Sequence, residues 1–423
     1  MRSPIPSLLR TLFPGYHSAF VFARPGESLS PPQEPLNLYV HLPFCRSICA
    51  FCPYVKQVYD AETASAYGEA LLRELQRYRD AWGEMSFTSV YFGGGTPSMT
   101  PELVESVLSW LRRNGQLAGE VGVEVHPLDA MPDTVGRLRD IGVTMISVGI
   151  QTFNDRLLAV LERGYDAARA RKACEQVLSA GFKSMDIDLI FALPGQSLDE
   201  AEKDFAVAAT IGPDQVSAYP LIPFSDTPLA ARLSSVGVRL PQRRTERRML
   251  DALVRQARGS GYERSSIWSF NKPGAARYTT VTRESFIGIG AGASSCLGDQ
   301  FRVNTFSVRD YIEATYAGSP AALGTRMNEG DRMAYWLFWR CYDTVIDTAR
   351  FREQFGCDLP GAVSATLRAF CVLGLVRQEG PAFRLTDRGA YLFHLVEKEY
   401  THSYLETLWS ACRREAWPKV VRL

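Results

Sequence analysis

Six short runs of apolar and β-branched residues recur between positions 36 and 222: LNLYVHLPF (36–44), SFTSVYFGG (86–94), VGVEVHP (121–127), MISVGIQT (145–152), MDIDLIFALP (185–194) and DQVSAYPLI (214–222). Stretches of helical period lie between most of them, such as ASAYGEALLRELQRYRDAW (64–82) and PELVESVLSWLRRN (101–114). Pro97 and Pro101 stand just before and at the start of the second stretch, where the first helical turn tolerates proline. Strand and helix alternating six times predict a parallel sheet with crossover helices. The runs are nearly continuous in apolar residues, as strands covered on both faces require. Six units fall short of a closed eight-stranded barrel, so the expected fold class is α/β, an open partial (β/α)6 barrel.

The polar and glycine-rich residues collect at the ends of these strands. CRSIC follows the first and GGGTP the second; Glu124 and His126 lie on the third, Gln151 on the fourth and Asp188 on the fifth. In parallel α/β sheets ligands gather at the C-terminal edge of the strands. Beyond about 235 the pattern changes to a basic helical stretch (241–262) and the run ESFIGIGAGASSCLG (284–298). From 330 to 395 three helices precede LVRQEGPAFRLTDRG, a predicted hairpin turning at Glu379–Gly380–Pro381. That order resembles a winged helix, but its charges alternate in sign and form no basic stripe, so a helical cap packed over the barrel mouth is the reading preferred. The expected units are an arm over 1–35, the barrel over 36–235, an extension closing the site over 236–325, and a C-terminal helical, winged-helix-like part over 326–423.

Charge narrows the classes. With 47 basic and 46 acidic residues the net charge is +1, so no basic field points to nucleic acid. No apolar run reaches the roughly 18–20 residues that span a bilayer, and prolines interrupt the N-terminus before a signal-like h-region forms. Nine irregularly spaced cysteines do not form a secreted disulfide framework, so a cytoplasmic location is expected.

Three of those cysteines fall in HLPFCRSICAFCPY (41–54): Cys45, Cys49 and Cys52. A structural zinc site wants four ligands, usually in two pairs, and the other six cysteines, at 174, 296, 341, 357, 371 and 412, offer no second pair. Three thiolates leave one metal position unfilled, as a reaction centre needs; a zinc site or incidental buried thiols are the competing readings.

The CxxxCxxC spacing resembles the signature of the radical S-adenosylmethionine (SAM) superfamily. YVHLPFCRSICAFC, VYFGGGTPS, EVHP, ISVGIQTF and DIDLIFALPGQS together resemble the branch containing oxygen-independent coproporphyrinogen III oxidase, over about residues 37–300. The resemblance implies a radical SAM barrel whose three thiolates bind three irons of a [4Fe–4S] cluster, with the fourth iron open to SAM. An electron from the cluster cleaves the sulfonium and leaves a 5′-deoxyadenosyl radical. By the same resemblance Tyr39, Gly94 and Glu124 contact the cluster-bound SAM. Phe51, Gly95, Thr96, Gln151, Arg163 and Asp188 contact a second SAM. An electron donor such as flavodoxin or ferredoxin and a small-molecule substrate are implied, with no nucleic acid or membrane partner.

Two departures bear on the subtype. The oxidase has a fourth cysteine two places after the third, where this chain has Tyr54. Haem chaperones of the branch carry a histidine–asparagine pair before a tyrosine–tryptophan, where this chain has FNKPGAARYTT (270–280). Ser294 replaces an apolar residue of the oxidase; Cys296 is a buried apolar residue more readily than a catalytic thiol, and His126 stays unassigned. The expectation drawn from these departures is a class C methyltransferase or cyclopropanase, moving a methyl or methylene group onto an sp² carbon. A porphyrin-pathway oxidase, an anaerobic haem-degrading enzyme and a non-catalytic haem chaperone stand as alternatives. Trp268, Phe270, Tyr278 and AYWLFWRCY (334–342) either line the pocket or pack.

Overall fold

The computed structural model describes residues 20–26, 29–32, 34–235, 239–278, 285–359 and 361–423. Each predicted run is a strand: β1 (Leu36–Leu42), β2 (Met85–Gly94), β3 (Gly115–Val125), β4 (Met145–Gln151), β5 (Ser184–Phe191) and β6 (Gln215–Pro220). They pair in parallel and in chain order. The crossovers carry α1 (Ala61–Trp82), α2 (Pro101–Asn114), α3 (Pro132–Asp140), α4 (Ala167–Ser179) and α5 (Leu198–Ile211).

The helices start and stop where local chemistry says. Asp60 caps α1 by accepting from Thr63 N, and Pro101 opens α2. Ser197 and Glu200 form a reciprocal capping box on α5, which ends at Gly212 with φ +81°. Tyr67, Leu71 and Leu75 of α1 recur at helical spacing and enter one core with Leu38, Val40, Phe87 and Ile187, all fully buried. That common core is what curls the sheet around the strand ends.

The sheet does not stop at six strands. At one edge β7 (Ser269–Asn271) pairs antiparallel with β6. At the other, β8 (Phe286–Ile289) lies parallel to β1, Ile287 opposite Leu38, and is a seventh parallel strand that the sequence pattern did not set apart. Antiparallel strands β9 (Ser294–Leu297), β10 (Gln300–Asn304) and β11 (Ala321–Arg326) follow. Val21–Ala23 pairs with β11 and with Val420–Arg422, so both ends of the described chain meet on this edge. Of the expected arm, residues 1–19, 27–28 and 33 lie outside the described residues, as do Thr279 and Thr280 of the chaperone-motif region.

The C-terminal part runs helix Glu329–Tyr342, strand Val345–Asp347, helices Thr348–Phe355 and Gly361–Val372, then the hairpin Val376–Glu379/Ala382–Leu385. Gly380, at φ +60°, makes the expected turn. Helix–strand–helix–helix–hairpin is the winged-helix order. The following helix, Asp387–Tyr400, fastens this part to the barrel. There His394, fully buried, accepts from Trp268 Nε1 at 3.0 Å and faces Glu246 Oε1 at 2.9 Å. Lys398 reaches the same carboxylate at 2.5 Å. Since Nδ1 is the acceptor, Nε2 carries the hydrogen and the ring is neutral, in keeping with burial holding its pKa below the usual histidine range.

A depressed histidine pKa means that the unfolded chain takes up more protons, so stability falls as pH drops through the unfolded value of about 6.5. His394→Ala removes two buried hydrogen bonds and leaves a cavity, and should cost about 3 kcal/mol in urea denaturation at neutral pH. It should also reduce the steepness of the acid limb between about pH 6.5 and 5.

Candidate functional site

The loop after β1 holds the three cysteines. Phe44–Cys45 pairs in parallel with Gln57–Val58, which closes residues 46–56 into a loop at the strand end. Cys45 is buried, Cys49 and Cys52 are half-buried, and all three are free thiols. Thr96 Oγ1 lies 3.6 Å from Cys45 Sγ. Arg163 Nη1 lies 3.1 Å from Cys49 Sγ, while its Nη2 donates to Gly149 O at 2.6 Å and its Nε to Tyr165 OH at 3.0 Å. Lys56 Nζ donates to the carbonyls of Cys52 and Tyr54, at 2.6 and 3.1 Å. Burial pushes the Cys45 thiol up to about 12 and raises that of Cys52. Metal binding would therefore have to displace their protons.

Among the described residues no three His, Cys, Asp or Glu side chains converge to hold a single metal ion. Three thiols also leave a structural zinc site one ligand short. Three separate thiols on one loop, with a hydroxyl and a guanidinium directed at two of the sulfurs, suit a cluster that takes one thiolate per iron.

GGGTP stands directly against this loop. A Cβ on Gly95 would meet the backbone of Leu42, Pro43 and Phe44 at 2.7–2.8 Å, and one on Gly94 (φ +112°) would strike the His41 ring at 2.5–2.7 Å. Gly95 N donates to Leu42 O and Thr96 N to Phe44 O, each at 2.8 Å. The close approach that these glycines allow is therefore first of all to the protein's own chain.

Glu124, on β3, accepts from Tyr91 OH at 2.7 Å and Gly94 N at 3.2 Å; burial pushes it up to about 7. Tyr39 stacks on Tyr91, centroids 6.1 Å apart, and its hydroxyl meets His41 Nδ1 at 3.0 Å. The other ring nitrogen of His41 meets Val55 O at 2.8 Å, which ties the barrel floor to the cysteine loop. Burial lowers the His41 pKa to about 4, so the ring is neutral. Asp188 accepts from Ser147 Oγ at 2.6 Å. Gln151 ends β4 in the left-handed region, φ +69°.

Thus Tyr39, Gly94, Gly95, Thr96, Glu124, Arg163 and Asp188 are gathered around one strand edge with the three cysteines. Phe51 instead packs against an apolar cluster of Ala50, Leu157, Leu161 and Leu229. Cys296 packs on Phe286 and Met327. His126 stacks edge-on against Tyr165 and its Nδ1 accepts from Leu128 N. Ser294 opens β9. Phe270 is core, whereas Tyr278 turns into the barrel and packs on Tyr91 at 5.3 Å.

Four residues were missed in the sequence. His41 and Tyr54 lie inside the quoted cysteine motif, and Asp186 stands two places before Asp188, so neighbouring signals existed. Trp409 had none. It stacks on Phe224 at 5.5 Å and meets Tyr54 at 5.9 Å, bringing the last long helix onto the cysteine loop.

With this geometry in view, known proteins can be compared. Residues 39–208 match the model of the radical SAM superfamily. Haem chaperone HemW of Lactococcus lactis is 31% identical over 288 residues, 67% of this chain and 75% of that protein. The chain belongs to the radical SAM superfamily, in the branch of HemW and oxygen-independent coproporphyrinogen III oxidase. Anaerobilin synthase of Escherichia coli O157:H7 is 25% identical over 363 residues, 84% of this chain and 81% of that protein. The crystal structure of coproporphyrinogen III oxidase (HemN) from Escherichia coli shares the fold, with TM-score 0.74 and 22% identity over 94% of this chain and 93% of that one. Membership makes a [4Fe–4S] cluster and SAM the cofactors of this protein.

The relatives overturn one expectation. Methyl or methylene transfer by a class C enzyme is not what these similar proteins are named for; they are a haem chaperone, an oxidase and a bilin-forming synthase. The two motif departures only showed which ligands this chain lacks, and a missing cysteine and histidine do not by themselves specify methyl chemistry. No helix among the described residues is long and apolar enough to cross a membrane.

Gly95→Ala forces a methyl group into backbone that cannot yield. It should lower the iron bound by anaerobically reconstituted protein by more than half. Gly136→Ala, on α3 with nothing within 4 Å, should leave iron unchanged and stabilise the fold by about 0.5 kcal/mol. Iron and sulfide analysis with thermal melts checks both.

Proposed function

We propose that this protein is a radical SAM enzyme acting on a tetrapyrrole, and that it opens haem to a linear product. When bound, the cluster and SAM supply a 5′-deoxyadenosyl radical that abstracts hydrogen. Cys45, Cys49 and Cys52 would hold three irons, with Tyr39, Gly94 and Glu124 placed for the SAM on the fourth. Gln151, Arg163 and Asp188 would receive a second SAM.

The observation that carries this reading is the aromatic, acidic lining of the barrel. Tyr39 stacks on Tyr91, Tyr278 packs tilted against Tyr91 at 5.3 Å, and Tyr219 meets Trp268 edge-on at 5.9 Å. Tyr54, 52% exposed, lies within electrostatic reach of Glu124 and Asp188. Flat rings suit a planar macrocycle. Burial first, and Glu124 next, raise the pKa of Tyr39, Tyr91 and Tyr278 well above the usual phenol range, so these rings stay O–H donors.

Catalysis, as against haem delivery, is favoured by where the histidines among the described residues are engaged. His41 bridges Tyr39 and Val55, His126 stacks on Tyr165, His394 joins Trp268 to Glu246, and His402 faces Glu406. In the region corresponding to the chaperone motif, Tyr278 is, among the described residues, the one that packs on Tyr91 of the barrel. The kinship with anaerobilin synthase supports ring opening.

Reduced, reconstituted enzyme given haem and SAM without oxygen should lose the Soret band and yield a linear tetrapyrrole with 5′-deoxyadenosine by mass spectrometry. Carbon dioxide from coproporphyrinogen would select the oxidase instead, and one tightly held haem with no 5′-deoxyadenosine would select the chaperone. Arg163→Leu should keep its iron but retain one SAM per chain where the parent holds two, measured by equilibrium dialysis.

A further inference from the structure

Asp186 and Asp188 stand two apart on β5, and so on one side of the strand. Asp188 is part-exposed to the barrel interior; Asp186 is buried, one step nearer the N-terminal end of the strand. Asp186 Oδ2 accepts from Ser217 Oγ at 2.8 Å and Gln215 Nε2 at 3.1 Å, and Ser217 also meets Ser269 Oγ at 3.2 Å. Asp188 in turn accepts from Ser147 Oγ at 2.6 Å. Two carboxylates on one side of a strand with no base beside them do not both stay ionised, so one of them keeps a proton.

The surroundings keep the proton there. Among the described residues neither Asp186 nor Asp188 forms an ion pair with a basic side chain. The titratable groups that face the pair are themselves acids: Glu124 from β3, Tyr91 from β2, Tyr219 from β6, Tyr278 ahead of β8 and Tyr54 from the cysteine loop. Arg163 is turned onto Cys49 and Gly149. Asp186 Oδ1 and Gln215 Oε1 are buried without any donor, so the network ends on two unused acceptors. The interior is therefore short of positive charge.

We propose that Asp186 is a positioning residue that keeps one shared proton on the Asp186–Asp188 pair, and that a cationic ligand arriving at Asp188, the sulfonium-bearing amino acid SAM, expels that proton to solvent. The inference rests on the second-SAM reading above and adds its proton linkage. Burial pushes Asp186 up to about 7, and burial with the Asp186 charge raises Asp188 well above the carboxylate range. Two like charges this close do not both persist until a cation joins them. With Asn at 186, an amide replaces the like charge and can donate to Asp188, which is then ionised before SAM arrives.

The test is calorimetric titration of the reconstituted holoenzyme with SAM, in two buffers of different ionisation enthalpy near pH 6.5, with stoichiometry from equilibrium dialysis. The parent should bind two SAM and release about one proton at the weaker site, whose affinity rises about tenfold from pH 5.5 to 6.5. Asp186→Asn should still bind two, with proton release near zero and a flat affinity profile. Should that variant fail to hold iron, Asp188→Asn serves in its place, and its weaker site should likewise release no proton. Equal proton release in parent and variant, or none in the parent with two SAM bound, overturns the proposal. A parent that binds only one SAM overturns the second-site reading itself.

Discussion

The backbone of residues 42–44 and that of Gly95–Thr96 touch with no room for a side chain between them, and the chemistry of this molecule depends on that contact. Through it the end of β2 is bonded to the chain that leads into Cys45, and Thr96 is set beside the cysteine sulfur. The same glycine turn presents Gly94 N to Glu124, whose other oxygen holds Tyr91. His41 extends the linkage from Tyr39 to Val55, on the far limb of the cysteine loop. One steric fact thus aligns a metal-binding loop, a carboxyl group and an aromatic wall, each from a different strand.

Inside that frame the charge balance is unusual. Glu124, Asp186 and Asp188 lie in or near the barrel interior, and the nearby guanidinium of Arg163 is engaged by a sulfur and a carbonyl. Such an interior is stable because its acids are held neutral or hydrogen-bonded. It resembles a set of weak acids suited to a cation, and its tyrosines stay protonated for the same reason.

Much of the fold was legible because the strands are covered on both faces and therefore spell out continuous apolar runs, from LNLYVHL to QVSAYP. The hairpin at Gly380 was legible because a turn with φ +60° calls for glycine. The seat of β8 was not, since four apolar residues that add a parallel strand look like any short core segment. His41, Tyr54 and Asp186 were hidden in plain view beside recognised motifs; their roles come from partners on other strands. Trp409 was invisible in principle, because its contacts with Phe224 and Tyr54 exist only after folding. The chemistry of the centre came from the resemblance of the CxxxCxxC motif and its companion motifs to the radical SAM superfamily. The methyl-transfer subtype was misread because it was inferred from what the motifs lack.

The cysteine loop also leans on the far end of the chain. Arg413 bonds to the carbonyl of Pro53, 360 residues away in sequence, and pairs with Asp226 at 3.0 Å, while Trp409 lies over Tyr54. The thiols and the side chains that buttress their loop are thus contributed by distant stretches of sequence, so the loop gains its support only once residues 409–413 have docked on it.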